Sequence, residues 1–153
     1  MRRDEKEITS RAEIDAIIRD AQVCRLAMSD GGRPYVVPLN FGYDGAALYF
    51  HCAQEGRKID VLRHNNRVCV EFDEAEGLIK GQEACEWGMR YRSVIAFGTA
   101  YLVDDIGARR DALQLLMAHY SDRRFSFPDA VVQRTAVIRV VIESVTGKQS
   151  PRR

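Results

Sequence analysis

The stretch Leu48-Tyr-Phe-His-Cys-Ala-Gln-Glu-Gly-Arg-Lys-Ile-Asp60 (LYFHCAQEGRKID) changes period in its middle. LYFHC alternates as a strand does, Ile59 and Leu62 stand one helical turn apart, and Glu55, Gly56, Arg57 and Lys58 fill the joint. A helix N-terminus presents unpaired N–H groups and a partial positive charge, Gly56 lets backbone approach closely, and Arg57 and Lys58 add full charges. That combination suits a phosphate. The same residues also satisfy a plainer reading, a solvated turn whose cations serve solubility.

Upstream, Ser10 and Glu13 have capping-box spacing, and Ile14, Ile17, Ile18 and Ala21 recur at helical intervals. The pattern then switches to strands: VCRLAMS and RPYVVPLNFGYD flank the turn Asp30-Gly31-Gly32, and Asp44-Gly45 precedes ALYFHC. Downstream, Asn65-Asn66 stop the helix, and RVCVEFD alternates again. EAEGLIKGQEACEW has no period and reads as a loop, after which YRSVIAFGTAYLV puts Ile95, Phe97, Thr99 and Tyr101 on one face. Gly98 inside that run predicts a bulge or a close approach.

Asp104-Asp105 can cap a helix with an apolar stripe of Ile106, Leu113, Leu116, Met117 and Tyr120, which reads as core packing. A polar linker with Pro128 precedes a closing strand, TAVIRVVIESVTGK, with Ile138, Val140 and Ile142 inward. The sum is about six strands and two or three helices. Meander order favours an antiparallel sheet curled into a small barrel, which leaves few exposed edges.

The chain has 153 residues, 46% of them hydrophobic, which suits one domain over 1–153. Lys and Arg number 23 against 22 Asp and Glu, with no long run of one sign, so nucleic acid is not the expected partner. No apolar run is long enough for a membrane helix and the opening MRRDEKEITS is charged, so a cytoplasmic protein without membrane contact is expected. Cys24, Cys52, Cys69 and Cys85 are widely spaced and read as free buried thiols. His51, Cys52, His64, Cys69, Cys85 and His119 lack zinc spacing, and no metal is expected. A Cys/His nucleophilic pair has no local signature here, and neither GxGxxG nor GxxxxGK[ST] occurs.

Two further stretches can join the joint at 55–58. In YVVPLNFGY, Pro38 removes a backbone donor, as tolerated at an edge or facing a ligand, and Asn40 shares its face. In WGMRYRSVIAFG, Arg90, Arg92 and Ser93 crowd a strand start beside Trp87 and Tyr91, a set that can bind a charged aromatic ligand or stand as exposed strand-end polarity.

In order and spacing, VCRLAMSDGGRPYVVPLNFGY, LYFHCAQEGRKIDVLRHNNRVCVEF and YRSVIAFGTA resemble the pyridoxamine 5'-phosphate oxidase-like superfamily and, within it, the Nim branch of 5-nitroimidazole resistance proteins. The resemblance implies a mainly β, six-stranded antiparallel FMN-binding split barrel with flanking helices. It also implies a homodimer with FMN at its interface. The family's phosphate clamp falls on Arg57 and Lys58, and its ring-lining strand on Val36, Val37, Pro38, Leu39 and Asn40. Phe50 and His51 match the position beside ring and ribityl chain, and Ser93, with Arg92, a polar site reached across the interface. His51 reads as catalytic on this resemblance, since a histidine there suits proton delivery to a nitro group under reduction, while a core histidine is the alternative.

The superfamily's Arg-x-His substrate motif has no match in TGKQSPRR, so pyridoxamine phosphate oxidation is not expected. The implied activity is an FMN-dependent reductase passing electrons from an external donor to a small acceptor such as a nitroaromatic. The competing readings are a non-catalytic barrel that stores or senses flavin or haem, and a ligand-free interaction barrel.

Overall fold

The computed structural model describes residues 4–150. Strand β1 (Glu7–Ile8) leads into helix α1 (Arg11–Asp20), where Ser10 Oγ accepts from the Glu13 N–H and Ile14, Ile17 and Ile18 are buried. Strands β2 (Cys24–Asp30) and β3 (Arg33–Leu39) form a hairpin in which Asp30 faces Arg33 across Gly31 and Gly32. Both glycines have positive φ, 57° and 88°, as a two-residue turn matching strand twist requires.

Next come β4 (Gly42–Tyr43), β5 (Ala47–Cys52), α2 (Arg57–His64), β6 (Arg67–Ile79) and β7 (Gly88–Leu102). Helices α3 (Ile106–Tyr120) and α4 (Asp129–Arg134) precede β8 (Ala136–Gln149). All pairings are antiparallel, in the order β3-β2-β6-β7-β8-β5-β4 with β1 on β8. The path ends are consecutive in the chain but not hydrogen-bonded to each other, so the sheet is open between β3 and β4.

Among the described residues, eight strands stand where the sequence predicts about six. The additional two, β1 and β4, are two residues each, too short for a period to register. A second correction concerns the stretch read as a loop after Asp73. Strand β6 continues to Ile79 and pairs with the start of β7, making a protruding two-stranded arm closed by a short 3₁₀ turn at Ala84–Glu86. Glu74, Ala75, Glu76 and Leu78 are all exposed, so no apolar face forms and no period can appear. A third is α4, which replaces part of the polar linker and fully buries Val132. On α3 the buried residues are Ala112, Leu113 and Leu116, whereas Tyr120 sits at the rim, its hydroxyl donating to Gln22 O at 2.8 Å.

The concave side of the sheet holds the main core, with Leu26, Phe50, Phe72, Val94 and Ile138 packed with Ile18 of α1 and Ile59 of α2. Gly98 lies on this side at a register shift, where an added Cβ would meet Val141 O at 2.2 Å. The glycine therefore marks both the bulge and the close approach.

The opposite face of the same strands is partly apolar and open. Cross-strand register aligns Pro38, Arg25, Glu71, Ile95 and Thr146 in one row, and Val36, Ala27, Cys69, Phe97 and Ser144 in the next. Val36 and Phe97 are both more than half exposed.

Candidate functional site

Helix α2 begins directly after Gly56, whose φ of 126° turns the chain from the end of β5 into the helix. Ile59, Val61 and Leu62 anchor it in the core, so its N-terminus is held in place. Arg57 reaches the β2–β3 hairpin, where Nε and Nη2 donate to Asp30 Oδ2 at 3.3 and 3.1 Å and the guanidinium lies 4.3 Å from the Tyr35 ring centre. Nη1 remains available. Lys58 makes no hydrogen bond or ion pair among the described residues. The helix terminus, a free ammonium and a guanidinium with spare donors form a donor set that fits a phosphate.

Asp30 and Tyr35 are the parts of this site that sequence reading missed. Asp30 read only as a turn residue and Tyr35 only as strand; an acid and an aromatic ring at a hairpin end, opposite a predicted cation pair, were the available signal.

Val36, Val37, Pro38, Leu39 and Asn40 lie along the end strand of the sheet path. Val36, Pro38 and Asn40 face outward and are exposed, whereas Val37 and Leu39 pack against the core. Pro38 thus sits on an edge strand whose other side has no sheet partner. On β5 the parity is decisive: Phe50 is fully buried and His51 exposed. The Phe50 side chain belongs to the core, so only its backbone can face a ligand. Cys52 points opposite to His51, and burial raises its thiol against the opposing charge of Lys58. Burial pushes the Cys24 thiol up to about 12. All four cysteines are free, but only Cys24 is buried; Cys52 and Cys69 are half-buried and Cys85 is exposed.

Arg92 and Ser93 diverge. Ser93 shares the outward face with Ile95 and Phe97, between Asp73 and Lys148 in register. Arg92 has the inward parity and is engaged within its own arm: Nη2 donates to Glu74 Oε2 at 2.5 Å, and Nε lies 3.0 Å from Glu76 Oε1 without the alignment of a hydrogen bond. The Glu74 hydrogen bond raises the Arg92 pKa further, so its charge is fixed.

The phosphate-type site and Ser93 are not together in one chain. Arg57 meets Asp30, at the end of β2 whose neighbour Ser29 accepts from Asn65 Nδ2, next to the row of Arg67 and Thr99. From Thr99 to Ser93 along β7 is about 20 Å at ~3.3 Å per residue. Among the residues singled out, the chain gathers Arg57 and Lys58 near β3, and leaves Ser93 at the far end of the sheet.

A family model described as pyridoxamine 5'-phosphate oxidase matches residues 10–149. The chain belongs to this family. Among solved structures, it is 36% identical to a Bacteroides thetaiotaomicron protein described as a "putative 5-nitroimidazole antibiotic resistance protein", covering 94% of this chain and 86% of that one with a TM-score of 0.86. An FAD-binding protein of Mesorhizobium loti is 30% identical over 95% of this chain and 98% of its own, with a TM-score of 0.70. An uncharacterized protein of Rhizobium meliloti is 31% identical over 67 residues, and the match takes in 44% of this chain and 44% of that protein, less than half of either. No helix among the described residues is long and apolar enough to cross a membrane.

Proposed function

We propose that the protein is an FMN-binding reductase that works as a homodimer, with the flavin between the two copies, and passes electrons from an external donor to a small acceptor, nitroaromatic compounds among them. The observation that carries this reading is the unengaged Lys58 beside Arg57 at the N-terminus of α2, next to the edge strand β3. A flavin carries a phosphate at one end and a ring with polar edges at the other, and these two elements match its two ends. The FAD-binding relative from Mesorhizobium loti supports a flavin as the ligand class.

Two observations support a second copy. Ser93 lies about 20 Å along the sheet from the clamp row, so one ligand touching both draws them from different chains. The outward face with Val36, Ile95 and Phe97, together with Leu78, Trp87 and Met89 of the arm, exposes more apolar surface than isolated scattered residues would.

The flavin, when bound, supplies the electron-carrying ring. Arg57 and Lys58 hold the phosphate, with Asp30 and Tyr35 fixing the direction of the guanidinium. Val36, Val37, Pro38, Leu39 and Asn40 run along the ring through their backbone and the Asn40 amide, and Phe50 contributes backbone alone. His51 holds a proton at an imidazole nitrogen beside the acceptor. Ser93 of the second copy adds a hydroxyl, and Arg92, tied to Glu74 and Glu76, keeps that strand end in position.

The test is FMN titration of the parent and of the Arg57→Ala/Lys58→Ala double variant. Each charge-assisted contact contributes about 1.5 to 3 kcal/mol, hence a loss of ten- to a hundredfold in affinity per cation. Undiminished affinity would remove the clamp. Reoxidation of the reduced holoprotein by a nitroimidazole, followed by stopped flow, then separates a reductase, which outpaces free reduced FMN, from a storage or sensing protein, which does not.

A further inference from the structure

Helix α3 packs along the outward side of the sheet: Leu116 lies against Gly42 of β4, where an added Cβ would come within 2.8 Å of its backbone, and Ala112 and Leu113 join Val132 and Val137 in a small second core. Beside these contacts, along the 108–115 stretch of the helix, a cleft of about 700 Å³ opens between α3 and strands β5, β7 and β8. This lies within the roughly 300 to 1,000 Å³ of small-molecule sites. Its floor is apolar, with Leu115 from the helix and Val141 from the sheet, and two phenol rings, Tyr49 and Tyr101, line it. In register, Tyr101, Arg139 and Tyr49 stand side by side on three adjacent strands, with Arg139 on the middle one. The Tyr49 hydroxyl donates to Asp44 Oδ2 at 2.9 Å, which fixes one wall.

The charges are arranged unusually. Arg139 on the sheet and Asp111 on the helix both line the cleft; neither forms an ion pair among the described residues, although Arg139 also interacts with the Tyr49 hydroxyl and its charge reaches the Asp44 carboxyl. Their neighbours on α3 do: Arg109 pairs with Asp104, and Arg110 with Asp129. Asp44, the acid near Arg139, is already occupied by the N–H groups of Ala46 and Ala47 and by Tyr49. A ligand with a single charge would meet a like charge on one wall. A ligand with both charges at opposite ends of an aromatic body satisfies both walls and stacks between the rings.

We propose that this cleft is a binding site for a small aromatic zwitterion, its carboxylate on Arg139 and its ammonium on Asp111. It is separate from the clamp at Arg57 and Lys58 and does not depend on a flavin.

The probe is para-(aminomethyl)benzoate, titrated into the full chain by calorimetry beside benzylamine and para-toluate, which carry one charge each. The zwitterion is expected to bind saturably and roughly tenfold or more tightly than either. Arg139→Gln should erase its advantage over benzylamine, and Asp111→Asn its advantage over para-toluate. Ala108→Trp, at the exposed start of α3, should block all binding while circular dichroism stays unchanged. No saturation in the millimolar range, equal affinity for the three probes, or indifference to Arg139→Gln and Asp111→Asn overturns the proposal. A further overturning result is an Ala108→Trp protein that turns from dimer to monomer while the parent binds no probe, because a second copy then fills the cleft.

Discussion

On β7, the inward residues Val94, Ala96 and Ala100 are small and buried, whereas the outward residues Ile95, Phe97 and Tyr101 are larger and lie 40, 52 and 53% exposed. Stabilising this chain by itself would place the larger apolar groups inside, because burial contributes roughly 25 cal/mol per Å² of apolar surface removed from water. The inward face is crowded to the point that Gly98 has no room for a methyl group, while the outward face leaves a phenyl ring in water. One side of the sheet maintains the fold, and the other is built for contact.

The largest expected effect tests the inward side: Phe72→Ala should lower unfolding free energy by about 3 to 5 kcal/mol, measured by urea denaturation. Gly98→Ala follows at about 1 to 3 kcal/mol, since its Cβ would drive against the Val141 carbonyl. On the outward side, Phe97→Glu should change the denaturation midpoint by no more than about 0.5 kcal/mol in equivalent stability while weakening self-association at least about tenfold in sedimentation. A Phe97→Glu protein as unstable as Phe72→Ala would erase the distinction between the faces.

The smallest effect is electrostatic. Burial raises the Asp44 carboxyl, but hydrogen bonds from the Ala46 and Ala47 N–H groups and the Tyr49 hydroxyl outweigh it and leave it below its ordinary 3.8. For Asp15, burial is likewise outweighed by Tyr43 and Arg11. A depressed carboxyl contributes stability that is complete above its ordinary value and lost as pH falls through the lower folded value. Thermal melting should therefore drop on acidification below about pH 4, and Asp44→Asn should lie below the parent at neutral pH and converge with it in acid. Parallel curves would mean that Asp44 is not a source of the acid sensitivity.

Much of this architecture was legible because half-buried strands advertise their period. The alternation around Val68, Val70 and Phe72 and the capping at Ser10 and Asp105 correspond to β6, α1 and α3. Periodicity grouped Ile95, Phe97, Thr99 and Tyr101 on one face but carries no sign, so it could not tell that this is the open face. Resemblance to the family places both Phe50 and His51 beside the ligand; strand parity with the apolar Leu48 sends the Phe50 side chain to the core and His51 outside. The arm beyond Asp73 was illegible for the opposite reason: exposed on both sides, it has no period. Arg92 groups with Ser93 at a strand start and by resemblance to the family; its ion pairs with Glu74 and Glu76 are illegible in the sequence because both acids lie in the segment that reads as a loop.

Strand β8 lies between β7 and β5 and also receives β1, so residues near position 8 pair with residues near position 147. During synthesis, β5 and β7 have no shared neighbour until β8 has emerged from the ribosome, and one edge of each remains open to other chains until then. Completion of the sheet thus waits on β8 and on distant pairings that form slowly.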